Sequence, residues 1–166
     1  MMTDKTDEKI KKYYPMLYKY VYVQLKDADV TLDIVQEVLY KYVESKIIFD
    51  NDSAEKAWLL TVTNNICRNY WRSSWYKRIV LVSDEFDSYN SLTPEDIFLQ
   101  NENNYSVLSL VMSLPAKYRD VIHLFYYENL KIEDISRITG KKISTIQTHL
   151  ERARKLLKRK MEKDGF

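Results

Sequence analysis

The chain has 166 residues, of which 45% are hydrophobic and 30% are charged, with only two glycines and three prolines. This composition supports a folded core and argues against global disorder, and the shortage of turn-forming residues favours an all-α protein over a sheet protein. The single cysteine, Cys67, excludes an internal disulfide, and no Cys/His cluster has the spacing of a zinc site. Neither a signal peptide nor an apolar run of the roughly 18 residues needed to span a membrane is recognisable, so a cytoplasmic location is expected.

The net charge of +2 is unevenly distributed along the chain. Residues 1–82 contain 13 Lys and Arg against 11 Asp and Glu, residues 83–113 contain six acids and no base, and residues 114–166 contain 13 bases against seven acids. Such blocks of like charge favour two modules joined by an acidic linker. We therefore predict two small helical domains, with the first at 1–80, an acidic flexible linker at 81–104 and the second domain at 105–164.

Apolar spacing predicts helices in the first domain. Pro15 suits the first turn of a helix, so a helix over about 15–26 is expected after a short N-terminal one. Apolar residues at three- and four-residue steps predict an amphipathic helix over about 31–46, on Ile34, Val35, Val38, Leu39, Tyr42 and Val43.

A third long helix is predicted from about Ser53 to Trp71 or beyond. Asp52 and Glu55 have the spacing of a capping box at its start. Its apolar stripe is predicted on Trp58, Val62 and Ile66.

The second domain also has a helical pattern. One helix is expected to end near Leu114-Pro115, and Asn129 is a candidate left-handed cap after the next. Further helices are predicted over about 116–127, 132–138 and 143–161.

The last two helices and the turn at Gly140 form a helix-turn-helix pattern. The inner faces are predicted on Ile135 and Ile138 in the first helix and on Ile143, Ile146, Leu150, Ala153 and Leu157 in the second. The outward positions of the second helix are Ser144, Thr145, Gln147, Thr148, Glu151, Arg152 and Lys155. Short polar groups near the start of such a helix suit base edges, and Ser, Thr and Lys suit phosphates.

The charge of this region favours nucleic acid as its ligand. From Lys141 to Lys163 there are nine Lys and Arg against two Glu. A solvated basic helix or the end of a coiled coil is the alternative. The pattern lacks sustained heptads, however, and the glycine turn would then have no role.

A series of short motifs runs from Leu114 to Lys158. It consists of Leu114-Pro115, Arg119 four residues after the proline, an apolar helix, Asp134-Ile135, Gly140, Thr145-Ile146 and a closing Leu-Glu-Arg-Ala-Arg that begins at Leu150. These residues resemble region four of bacterial RNA polymerase sigma factors of the extracytoplasmic-function (ECF) type.

The front half contains a second set of motifs. The segment DIVQEVLYKYVE supplies Asp33, Ile34, Gln36 and Glu37, and the segment FDNDSAEKAWLLTVTNNICRNYWR supplies Phe49, Asp52, Ser53, Trp58, Leu59, Asn65, Tyr70 and Arg72. These residues resemble region two of the same family. The resemblance covers about 10–78 and 106–160, and both modules in this order make it more specific than a helix-turn-helix alone.

The resemblance implies a sigma factor that binds core RNA polymerase and directs initiation at specific promoters. The polymerase-binding face would consist of Asp33, Gln36, Glu37 and Tyr40. The DNA duplex of the minus 35 element would be contacted by one helix, through Ser144, Thr145, Gln147, Thr148, Arg152 and Lys155. For the four residues of the polymerase-binding face, an ordinary solvated helix face is the alternative interpretation.

The resemblance also implies that the front domain reads the minus 10 element as an unpaired strand. A base must leave the stack to be read on its Watson–Crick edge, which polar side chains in a pocket can do. The residues expected there are Phe49, Asn51, Asp52, Ser53, Asn65, Arg68, Asn69, Arg72 and Arg78. Asn65 could instead only buttress the loop, and Tyr70 and Trp71 could belong either to the core or to a stacking platform for bases.

The sequence departs from the family pattern at several positions. Asn51 stands where glycine is usual and Asp50 where arginine is frequent, so the minus 10 preference is open. Lys131 and Lys142 occupy positions where a Ser-type cap usually begins a helix. Gln147 replaces a usual Lys or Arg, which moves a contact from phosphate toward a base edge.

Two other functional classes compete with a sigma factor. A stand-alone helix-turn-helix regulator would use the front half for dimerisation or ligand binding and would bind palindromic sites. An enzyme is disfavoured, because the sequence has only His123 and His149, no carboxylates at metal-binding spacing and no Gly-rich phosphate loop. No cofactor or metal is expected. The partners implied are core RNA polymerase, promoter DNA and an anti-sigma protein, with no membrane insertion.

Overall fold

The structure of the protein, a computed structural model, describes the backbone of residues 4–80 and 102–165 and the side chains of residues 4–73 and 107–165. Regular structure within these ranges is entirely helical, which confirms the predicted all-α class. The chain separates into two compact units that divide between Ser91 and Leu92, called here the front unit and the back unit. Most of the predicted linker lies outside the described residues. In the described part of the chain, no helix has both the length and the apolar character of a membrane span.

The front unit begins with one long helix, α1 (Asp4–Leu25), which contains Pro15 in its interior. The prediction of a short helix followed by a new one at Pro15 is therefore wrong. A proline inside a helix loses a backbone hydrogen bond and crowds the preceding turn. Tyr13 and Leu17 on either side are 4% and 0% exposed, so burial of the flanking turns outweighs this local cost.

Helix α2 (Ala28–Ser45) begins three residues earlier than predicted because Asp27 caps it. The backbone N–H of Val30 donates to Asp27 Oδ1 at 3.0 Å, which satisfies one of the unpaired donors of the first turn. The helix ends at Lys46, whose φ of 52° is left-handed. Of the residues predicted on its apolar side, Ile34, Val35 and Val38 are buried, and Leu39, Tyr42 and Val43 are half-buried. Ala28 and Thr31 are also buried.

Helix α3 (Asp52–Val80) packs against both α1 and α2. Its buried side is centred one position further along the helix than predicted, on Leu59, Leu60, Thr63, Asn64 and Cys67. The predicted stripe of Trp58, Val62 and Ile66 is only half-buried and forms the edge of that side.

The N-terminus of α3 is capped by Asn51, and the predicted capping box on Asp52 and Glu55 is wrong. The backbone N–H of Ala54 donates to Asn51 Oδ1 at 2.8 Å. Glu55 is instead only 2% exposed and is turned into the unit. Its carboxylate accepts hydrogen bonds from basic and phenolic side chains of α1 and α2. It therefore does not reach back to the start of α3.

The described part of the back unit contains α4 (Glu102–Met112), α5 (Ala116–Ile122), α6 (Ile132–Thr139) and α7 (Ile143–Lys163). One π-helical turn, His123–Tyr127, continues α5, so the helix predicted over 116–127 exists with a changed pitch in its second half. Asn129 follows with a φ of 54°, in the left-handed conformation that its position predicted.

Helices α6 and α7 meet at Gly140, whose φ of 72° is the left-handed conformation that glycine adopts without strain. The predicted inner faces are mostly confirmed, with Ile135, Ile138, Ile146, Leu150 and Ala153 buried. Ile143 is 43% exposed, contrary to prediction, because it is the first residue of α7 and the packed face begins one turn later. Leu157 is half-buried.

Neither helix of this pair has a side-chain cap at its start. Lys131 and Lys142 occupy the N-cap positions in extended conformation, with ψ of 155° and 147°, and neither side chain accepts a hydrogen bond there. Replacing Lys131 with serine is expected to stabilise the back unit by about 1 kcal/mol, because the hydroxyl accepts from an unpaired N–H of the first turn.

The measurement is native-state hydrogen exchange of the α6 and α7 amides in the full chain. Protection is expected to rise about fivefold in Lys131→Ser, which corresponds to about 1 kcal/mol. Lys131→Ala removes the same charge without adding an acceptor and serves as the control. Equal protection in the two variants would show that the uncapped start costs nothing.

Candidate polymerase and promoter DNA interfaces

The outer face of α2 brings together the four residues predicted to bind polymerase. Asp33, Gln36, Glu37 and Tyr40 are all exposed, since they lie opposite the buried side of the helix. These four side chains lie within eight residues of helix, a length of about 10 Å. The group combines two carboxylates, an amide and a phenol, which suits a partner surface with basic and amide side chains.

Tyr40 is the most prominent apolar feature of this face, with 64% of its surface exposed. Its hydroxyl donates to Glu44 Oε1 at 2.9 Å, and this hydrogen bond raises the pKa of Tyr40. The ring is thereby held along the helix, where it extends the face by one turn. Partly exposed aromatic rings of this kind are enriched at protein interfaces.

The segment between α2 and α3, residues 46–51, is the loop predicted to line a base pocket. Phe49 is half-buried against Tyr42 and Trp58, with ring centroids 6.5 and 5.8 Å apart. Asn51, Asp52 and Ser53 are exposed. Of these, Asn51 also caps α3 through Oδ1, and Asp52 Oδ2 accepts from Lys12 Nζ at 3.1 Å in an exposed ion pair.

The loop also presents two apolar side chains that were not predicted. Ile47 is 47% exposed and Ile48 is 94% exposed. The signal in the sequence was an apolar pair inside a segment that connects two helices, where polar residues are the rule.

Further along α3, one exposed face contains most of the other residues predicted to meet the minus 10 strand. Asn65, Arg68, Asn69 and Arg72 are exposed and follow helical spacing. Arg78 belongs to the same helix but lies outside the described side chains. Tyr70 and Trp71 are half-buried, so the structure assigns them wholly neither to the core nor to the surface.

The neighbouring Asn64, unlike Asn65, is buried. Asn64 is 5% exposed, and its Oδ1 accepts from the hydroxyl of Tyr20 on α1 at 3.2 Å. This buried contact ties α3 to α1. Asn65 is thus directed outward, where its amide can both donate to and accept from a base edge.

In the back unit, α7 presents the residues predicted to read the duplex. Ser144, Gln147, Arg152 and Lys155 are exposed, and Thr145 and Thr148 are half-buried. The hydroxyl of Thr148 donates to the carbonyl of Ser144 at 2.9 Å. Lys155 Nζ lies 3.2 Å from Glu151 Oε1 in a pair that is about two-thirds exposed and is therefore easily exchanged for a phosphate.

One basic residue of this surface was not predicted. Lys117 is exposed in the first turn of α5, and its Nζ lies 5.1 Å from the centre of the Tyr118 ring. That ring packs edge-on against His149 of α7, at a centroid distance of 5.5 Å. Burial, followed by the charges of Lys141, Lys117 and Arg152, lowers the pKa of His149. Lys117 thus joins the basic side of α7.

Two parts of the sequence match two regions of the sigma-70 family. Residues 10–76 match "Sigma-70 region 2" and residues 105–157 match "Sigma-70, region 4". The chain is 30% identical over 166 residues to RNA polymerase sigma factor SigV of Bacillus subtilis (strain 168), covering 100% of this chain and 93% of that protein. It is 24% identical over 155 residues to ECF RNA polymerase sigma factor SigX of the same organism, covering 90% and 80%.

A solved structure has the same fold. The sigma factor RpoE, in its co-crystal structure with the anti-sigma factor NepR from Bartonella quintana, matches with a TM-score of 0.71 at 22% identity, covering 96% of this chain and 98% of that one. At this identity the match concerns the fold. Together with the two matching regions and the similarity to SigV, this match leads to one assignment. The chain belongs to the sigma-70 family of RNA polymerase sigma factors and is of the ECF type.

Proposed function

We propose that this sigma factor binds core polymerase through the outer face of α2, holds the minus 10 strand on α3 and the loop before it, and reads the minus 35 duplex with α7. It is a binding subunit without catalytic activity of its own, and it acts in the cytoplasm. The observation that supports this division most strongly is the presence, in one chain, of a front unit with separate acidic and basic exposed faces and a back unit with a basic recognition helix.

The front unit is suited to an unpaired strand. Arg68 and Arg72 would contact phosphates, while Asn65 and Asn69 would face the strand, where an amide can pair with a base edge. The loop residues Phe49 and Asn51, with Asp52 and Ser53 at the start of α3 and Arg78 further along it, would complete the site. An unstacked base is the state in which its Watson–Crick edge becomes available to such groups.

The back unit is suited to a duplex. Gln147 is proposed to contact a base edge, and Ser144, Thr145, Thr148, Arg152 and Lys155 to contact bases or phosphates around it. Lys117 extends the phosphate-binding side.

Two further elements follow from the family. The linker at 81–104 is proposed to join the two domains, either as a plain solvated tether or along the RNA exit path of the polymerase. Because a sigma factor of similar fold was solved with the anti-sigma factor NepR, an anti-sigma protein is also proposed to control this chain.

Mapping of transcript 5′ ends tests the proposed function even though the promoter sequence is unknown. Core polymerase, alone or with this protein, would transcribe sheared genomic DNA of the source organism. The proposal predicts new 5′ ends that share two sequence elements, centred about ten and about 35 base pairs upstream. Starts that match those of core polymerase alone would contradict it.

Replacing Gln147 with alanine is expected to relax the preference at one base pair of the minus 35 element by about five- to 100-fold, because a bidentate amide–base contact discriminates by about 1–3 kcal/mol. Binding to duplexes substituted at each position in turn measures this. Lys155→Ala is the matched comparison, since loss of a phosphate contact weakens all duplexes alike and lowers the salt slope by about one. Uniform weakening in Gln147→Ala as well would contradict the base contact.

A further inference from the structure

Glu55 joins α1, α2 and α3, the three described helices of the front unit. It lies in the first turn of α3 and is 2% exposed. Its Oε1 accepts from Lys9 Nζ of α1 at 2.9 Å and from the hydroxyl of Tyr42 of α2 at 2.5 Å. Its Oε2 accepts from the hydroxyl of Tyr13 of α1 at 3.0 Å.

The hydrogen bonds to this carboxylate hold it in place and favour its ionised form. Burial alone would raise the pKa of Glu55, but the hydrogen bonds from Tyr42, Lys9 and Tyr13 outweigh it and the pKa is lowered. Burial and the bond to Glu55 raise the pKa values of Tyr13 and Tyr42, so both remain neutral donors. A buried carboxylate satisfied in this way fixes the direction of every group that binds it.

Tyr42 connects this carboxylate to the loop that precedes α3. Its ring is stacked on Phe49, at 6.5 Å and an interplanar angle of 17°, and tilted against Trp58 at 6.2 Å. Phe49 is the half-buried residue of segment 46–51, and the other five are exposed. The loop is therefore anchored through Phe49, and Phe49 rests on a ring whose hydroxyl is bound by Glu55.

We propose that Glu55 and Tyr42 are positioning residues for promoter recognition. Their hydrogen bond holds the Tyr42 ring under Phe49 and so sets the conformation in which segment 46–51 meets an unpaired minus 10 base. This inference rests on the proposed minus 10 function of the loop. In the proposed arrangement, neither Glu55 nor the Tyr42 hydroxyl contacts DNA.

Tyr13 provides the comparison that separates positioning from stability. Its hydroxyl donates to the same carboxylate from α1, but its ring is not part of the cluster of Tyr42, Phe49 and Trp58. Tyr42→Phe and Tyr13→Phe each remove one hydrogen bond to Glu55. Only the first acts on a ring that contacts the loop. Tyr18→Phe is the control, because the Tyr18 hydroxyl is buried without a hydrogen-bond partner in the described residues.

The experiment uses polymerase reconstituted with the full chain, on a promoter found by 5′-end mapping and on templates substituted at each minus 10 position. The readout is the ratio of open-complex formation between the natural and the substituted template. Tyr42→Phe is expected to lower that ratio about two- to tenfold, the range set by one hydrogen bond. Core affinity and minus 35 discrimination are expected to be unchanged.

Tyr13→Phe is expected to reduce thermal stability while leaving the minus 10 ratio within about twofold of wild type. Glu55→Gln, which keeps the shape of the side chain, is expected to lower the ratio as Tyr42→Phe does. The positioning role is overturned if wild type discriminates and Tyr42→Phe matches it, or if Tyr13→Phe and Tyr42→Phe lower the ratio equally. If wild type binds core polymerase but shows no minus 10 discrimination, the proposed loop function itself fails and the positioning role fails with it.

Discussion

Leu150→Ala is expected to unfold much of the back unit and to abolish binding to the minus 35 duplex, while binding to core polymerase through the front unit persists. Leu150 is 1% exposed, and Ile135 and Ile146, the other central residues of the helix-turn-helix core, are 0% exposed. Truncating a leucine in such a core costs about 2–5 kcal/mol. A unit of this size is stable by roughly 4–11 kcal/mol, and three of its helices, α5, α6 and α7, begin without side-chain caps. Little stability is therefore left.

Ile143→Ala is the matched control for this prediction. It removes a similar apolar side chain from the same helix, but at a position that is 43% exposed, so the cost is expected to be below about 1 kcal/mol. Hydrogen exchange of the α7 amides and titration with duplex DNA measure both variants. Equal loss of protection in the two variants would contradict the packing of the helix-turn-helix described above.

The helices themselves could be predicted because apolar spacing reports which side of a helix is buried. In α2, α6 and α7 the most buried apolar residues are among those that the spacing indicated, although Leu39, Tyr42, Val43 and Leu157 are only half-buried and Ile143 is exposed. The break predicted at Pro15 was wrong because a local preference does not include the burial of neighbouring turns. For α3, the buried side lies one position further along the helix than the predicted stripe.

The contacts made by polar side chains were less predictable. Asp52 and Glu55 had the spacing of a capping box, yet Asn51 caps α3 and Glu55 is buried. Tyr13 and Lys9 reach Glu55 across more than 40 positions of sequence, and nothing in the local pattern indicates such a meeting. Lys117 was overlooked for a similar reason. A cation in the first turn of a helix opposes the helix dipole, which could have marked it as functional.

Changing Asp33, Gln36 and Glu37 together to alanine is expected to lower affinity for core RNA polymerase by at least about 100-fold. The three side chains are exposed on one face of α2, away from the core residues Ile34, Val35 and Val38, so the variant should fold normally. A few central residues usually provide most of the binding energy at a protein interface, and loss of several of them costs several powers of ten.

The control for this variant also removes two negative charges, but from another part of the front unit. Asp4 and Glu8 are exposed on α1, and Asp4→Ala with Glu8→Ala changes the net charge as the triple variant does. Its affinity for core polymerase is expected to remain within about twofold of wild type at physiological ionic strength, because distant exposed charges are screened there. A loss as large as that of the triple variant would indicate a non-specific charge effect.

The most direct test of the polymerase-subunit function is equilibrium binding of the labelled full chain to core RNA polymerase, without DNA and near physiological salt. Wild type and the Asp4/Glu8 variant are predicted to bind tightly, and the Asp33/Gln36/Glu37 variant to bind at least about 100-fold more weakly. Wild-type binding that survives the triple change would contradict the placement of the polymerase interface on α2. Absence of wild-type binding would contradict the proposal that this chain works as a polymerase subunit.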